Sequence, residues 1–83
     1  MSETAHDSSV QLVRMANDIA NYFHAEGDHA AAVEGVVSHI RRFWEPRMRK
    51  KILAYLKDHN GEGLNELARA AIARLAESRQ APV

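Results

Sequence analysis

Leu12, Met15, Ala16, Ile19, Ala20 and Phe23 follow one another at steps of three and one residues. At 3.6 residues per turn that spacing lines one side of a helix. Arg14, Asn17, Asp18 and Asn21 fall on the other side. The pattern predicts a first helix capped by Ser8 or Ser9 and ending near Gly27, a residue suited to a left-handed C-terminal position. Asp28 follows as a cap for a second helix with the stripe Val33, Val36 or Val37, Ile40, and Phe43 or Trp44. Pro46 lacks an amide hydrogen and biases Glu45 away from helical angles. The second helix therefore stops at about Trp44, and Pro46 opens a third, with one long kinked helix as the alternative. The third runs to about Lys57, with Met48, Ile52, Tyr55 and Leu56 on its apolar side. Asn60-Gly61-Glu62-Gly63 is a loop by composition. A fourth helix starts near Asn65, with Leu64, Leu67, Ala68, Ala71, Ile72 and Leu75 in helical register.

The expected architecture is all-α: a small antiparallel bundle of three to four helices over residues 10–77. Residues 1–9 and 78–83 have no periodic pattern and are expected to be flexible.

Composition narrows the picture. Eighty-three residues allow one small domain, which buries only about 60% of its unfolded surface and so has marginal stability of its own. With 46% hydrophobic and 27% charged residues the chain is ordinary globular protein. No cysteine is present, which excludes disulfides, thiolate zinc sites, iron–sulfur ligation and cysteine catalysis. No apolar run approaches the roughly 18 residues of a membrane span. Met1 to Ser9 are too polar and acidic for a secretory leader, so an intracellular setting is expected.

Charge is balanced in total, at 11 acids and 11 bases, which excludes a uniformly basic nucleic-acid binder. It is not balanced in place. Residues 1–28 hold five acids and one base, whereas residues 29–60 hold seven bases and three acids. Arg41, Arg42, Arg47, Arg49, Lys50 and Lys51 cluster with only Glu45 against them. Arginine makes forked, bidentate contacts and stacks on rings, and arginines beside Phe43 and Trp44 have the composition of a binding hot spot. The candidate partner-binding residues are His39, Arg42, Phe43, Trp44, Pro46, Arg47, Met48 and Arg49. A solvated helix face is the competing reading for the charges, above all for Lys50 and Lys51. Two bulky rings at one helix end seldom reach one core, so one is expected to pack outside the domain, and Trp44 is assigned that anchor role. Arg47, beside Pro46 and Trp44, is expected to contribute more to binding than Arg49.

Catalytic chemistry is hard to assemble here. His24 and His29 flank a turn with Glu26 and Asp28 between them, but no paired spacing fixes a zinc geometry, and surface histidines are the plainer reading. His39 lies one turn before Phe43 and flanks the aromatic patch. No nucleophile triad and no phosphate-binding glycine loop is present. The chain is read as non-catalytic, with no catalytic, cofactor-binding or metal-binding residues.

The run His39-Ile40-Arg41-Arg42-Phe43-Trp44-Glu45-Pro46-Arg47-Met48-Arg49 resembles the central motif of the delta subunit of NAD-dependent, molybdenum-containing formate dehydrogenases. Leu12-Val13-Arg14-Met15-Ala16-Asn17-Asp18-Ile19 and Gly61-Glu62-Gly63-Leu64 fit the same family, so the resemblance spans roughly residues 10–76. It departs at Asn65-Glu66, where the family begins its helix with Ser-Pro; asparagine can still cap.

The resemblance implies a soluble, cytoplasmic complex that oxidises formate to carbon dioxide and passes electrons to NAD. In it an alpha subunit holds a molybdenum bis(guanine dinucleotide) cofactor and iron–sulfur clusters, and beta and gamma subunits carry FMN and further clusters. The present chain would be an accessory subunit that binds the alpha subunit and supports assembly and stability, holding no cofactor and touching neither nucleic acid nor membrane. Two other roles stay open: a transient maturation factor assisting cofactor insertion, with arginines on its phosphates, and a small nucleic-acid-binding protein.

Overall fold

The computed structural model describes the backbone of residues 2–25 and 27–80, and the side chains of residues 9–25 and 27–77. Within them the chain forms four helices: α1 (Ser2–His24), α2 (His29–Phe43), α3 (Pro46–His59) and α4 (Glu66–Gln80). α1 reaches back beyond the Ser8 or Ser9 start read from the pattern, although side chains before Ser9 lie outside the described residues. At the other end, α4 runs to Gln80, and residues 81–83 lie outside them.

Each break sits on a residue that cannot continue a helix. Gly27 adopts φ 90° after α1. The Asp28 carboxylate then accepts a hydrogen bond from the Ala30 amide at 3.2 Å and caps α2. Trp44 and Glu45 are both extended, and Pro46 restarts the chain at the first position of α3. α3 ends on Asn60 at φ 59° and Gly61 at φ 69°. Asn65 caps α4, its side-chain oxygen accepting from the Ala68 amide at 2.8 Å.

α2 lies against α1 and α4, while α3 makes its main contacts with α4 and α1 rather than with its predecessor. The extended pair at 44 and 45 thus swings α3 away from the end of α2. Ile40, Ile52, Ile72 and Val36 are the largest fully buried side chains, and fully buried Ala16, Ala20, Ala68 and Ala71 let the backbones approach. Burying one such Ile stabilises by about 1.5–3 kcal/mol. The core of the described residues contains no polar or charged side chain.

Asparagines tie the last loop to α1. Asn17 donates to the Gly63 carbonyl at 2.9 Å and accepts from the Asn65 amide at 2.8 Å. Asn65 also donates to Asn21 at 3.3 Å. This triad fixes the start of α4 with the same residue that caps it.

Candidate functional site

The last turns of α1 and of α2 build an aromatic cleft. On α2, Gly35, His39 and Phe43 stand four residues apart, so they form one row. Gly35 makes room for α1: a Cβ at that position would lie 2.5 Å from the Phe23 ring. With that ring seated on bare backbone, Tyr22 meets Phe23 edge to face at 5.1 Å between centroids. His39 and Phe43 lie 4.7 Å apart at a 42° tilt. Asp18, Ile19, Tyr22, Phe23, His39 and Phe43 line an open depression of about 530 Å³. Tyr22 is 72% and Phe43 69% exposed. Adjacent large apolar groups left in water mark a binding surface more often than isolated ones do.

Trp44 does not take the partner-facing role assigned to it. It is 5% exposed and belongs to the chain's own core, so Phe43 is the ring of the pair left outside. The reason is register. Val36, Ile40 and Trp44 form one i+4 series, whose first two members are fully buried. Phe43 belongs instead to the flanking row of Gly35 and His39.

Arg49 likewise serves the fold. Its guanidinium donates to the Trp44 carbonyl at 2.6 Å and the Arg41 carbonyl at 3.3 Å, bracing the end of α2 with a cation where helix carbonyls favour one. Met48 is half-buried against the core. Arg47 is exposed, as are Arg42 and Pro46. Together with Gln11, Leu12, Met15, Met48 and Lys51, Arg47 lines a second depression of about 290 Å³ between α1 and α3. With Glu45, Pro46 and Lys50 it lines a third, of about 580 Å³. The eight predicted residues therefore divide: His39, Phe43, Arg42, Pro46 and Arg47 face outward at least in part, and Trp44, Met48 and Arg49 hold the corner together.

Sequence reasoning missed Tyr22, whose signal was available: a large ring one residue off the buried stripe, next to Phe23. The histidines flanking the first turn, His24 and His29, border a separate cleft with Asn21 and Glu66. Among the described residues no three His, Cys, Asp or Glu side chains converge to hold a metal ion; Glu26 lies outside them. No helix there is long and apolar enough to cross a membrane.

Fold and surface together define, among the described residues, a small all-helical protein with an open, aromatic-lined side and exposed cations beside it. The family model for the NADH-dependent formate dehydrogenase delta subunit, FdsD, matches residues 11–72, and the chain belongs to that family. No curated protein and no solved structure matches it.

Proposed function

We infer that this chain is a non-catalytic accessory subunit of a cytoplasmic NAD-dependent formate dehydrogenase. It binds the molybdenum-containing alpha subunit within a complex that also holds beta and gamma subunits, and it supports assembly and stability of the enzyme that oxidises formate to carbon dioxide. Molybdenum bis(guanine dinucleotide), iron–sulfur clusters and FMN reside in the other subunits. The observation that carries this reading is Phe43, a large ring 69% exposed inside the family-matched segment. His39 stacks against it, and Tyr22 lines the same cleft. An aromatic anchor of this kind becomes a hot spot when a partner dehydrates it.

Purification of the complex with and without this chain, followed by metal analysis and formate oxidation assays, tests the role. A stoichiometric band together with lower molybdenum content on omission is the expected result. A second reading is a transient maturation factor, favoured by the exposed Arg47 and Lys50 in one depression, since arginine grips phosphate well. A chain that restores molybdenum content but leaves the mature enzyme supports that role instead. A salt-dependent shift of random DNA would move the assignment to nucleic-acid binding.

A further inference from the structure

The aromatic cleft and the depression between α1 and α3 follow one another along α1. Met15 borders one and Ile19 the other, a single helical turn apart, or about 6 Å of rise. On the facing wall, Phe43 of α2 gives way to Arg47 of α3 across the extended junction. Taken together, the two depressions form a groove along α1 from Gln11 to Tyr22, about 17 Å at 1.5 Å per residue.

Its two ends differ in chemistry. The Tyr22 end is lined by aromatics and Ile19, and its one carboxylate, Asp18, disfavours an acidic group there. At the Gln11 end, Leu12, Met15 and Met48 form an apolar floor and Arg47 and Lys51 form a basic rim. Neither cation has an ion pair or hydrogen bond among the described residues. The first turn of α3 adds to the imbalance, because it has no acidic residue and no side-chain cap at Glu45. Glu45 is the one carboxylate at that positive end, and it makes no hydrogen bond to the amides there. Methionine floors adapt to varied apolar side chains.

Resting on the partner-binding reading above, we propose that this groove takes one amphipathic helix of the partner subunit, about three turns long. Apolar side chains of that helix lie over Tyr22 and Phe43, and carboxylates at its other end meet Arg47 and Lys51. A groove lined by helices along its full length accepts a helix through anchors spaced at i, i+3, i+4 and i+7. The unpaired cations select an acidic one. A phosphate chain would satisfy the rim and leave the apolar floor unused, so an acidic protein segment fits better than a nucleic acid.

The test uses the assembled complex, with a photo-crosslinking phenylalanine analogue replacing Tyr22 in one preparation and Lys51 in another. Both positions should cross-link to the same subunit, at sites within about 12 residues of each other, with Asp or Glu beside the Lys51 product and apolar residues beside the Tyr22 product. In parallel, the double variant Arg47→Glu, Lys51→Glu should bind that subunit at least tenfold more weakly and with a flatter salt dependence. Tyr22→Ala should weaken binding with the salt dependence unchanged.

Cross-links to distant segments, to different subunits or to a second copy of this chain overturn the proposal, as does charge reversal without effect or a failure of both positions to cross-link. The broader reading is separable. If both probes reach a single acidic helix of the beta or gamma subunit, the groove stands and alpha binding falls. If alpha is captured through other surfaces while these probes stay silent, alpha binding stands and the groove falls.

Discussion

Ala68 and Ala71 of α4 are fully buried, whereas Tyr22 and Phe43, several times their size, stand mostly in solvent. The α2–α4 side is closed with small residues, and the α1–α2 edge is left open with large ones. Alanine contributes little apolar area, so the closed side depends on a few bulky members: Ile40, Ile52, Ile72 and Trp44. The open edge contributes little to the isolated fold, since its rings stand mostly in water. Large side chains in a small domain thus do not all work for the domain's own stability.

The sharpest way to break this contrast is within the adjacent pair Phe43 and Trp44. Trp44→Ala removes a large member of the closed side and should destabilise by about 3–5 kcal/mol. That is a large share of the roughly 5–15 kcal/mol that holds typical domains. Thermal melting followed by circular dichroism should show the variant largely unfolded or melting far lower; a wild-type melt would place Trp44 with the open edge after all. Phe43→Ala should do the reverse. Its folding stability should stay within about 0.5 kcal/mol, while affinity for the partner subunit falls about 30-fold, or roughly 2 kcal/mol, by calorimetry.

Gly35 joins the two regions, since it lies on α2 beneath a ring of the cleft. Gly35→Ala gains helix propensity of about 1 kcal/mol but drives a methyl into Phe23, at a cost of about 1–3 kcal/mol. A net loss of about 1 kcal/mol is expected from these opposed values. In a Phe23→Leu background the same change should become neutral or stabilising, which urea titration of the four variants would show. A loss of similar size belongs to the cap. Asn65→Ala should cost about 1 kcal/mol, read as a lower urea midpoint with binding at the open edge unchanged.

Most of the fold was legible because its punctuation is chemical. Gly27-Asp28, Glu45-Pro46 and Asn60-Gly61 each offer a conformation or a cap that a helix interior cannot, and the breaks lie there. The site was legible in part. Periodicity admits either Phe43 or Trp44 after Ile40, because both i+3 and i+4 fall near one face. Only the exact i+4 series through Val36 and Ile40 separates them, and the extended angles at Trp44 had to be seen to complete it. Which arginine stays exposed had to be seen: Arg49 is turned to backbone carbonyls and Arg47 is left exposed. The asparagine triad was invisible, since Asn17 and Asn65 lie 48 residues apart and polar side chains leave no periodic trace.

Trp44 is the chain's one tryptophan, and it sits 5% exposed. The protein therefore contains its own optical divide. Indole emission from this site reports the dry interior, blue-shifted and shielded from iodide while the chain is folded. The exposed rings, Tyr22 and Phe43, contribute almost nothing when indole is excited selectively at the red edge of its absorption. Docking through the open edge should leave that emission nearly still, and loss of the fold should shift it to the red. A single fluorescence trace can then tell a chain that has let go of its partner from one that has come apart.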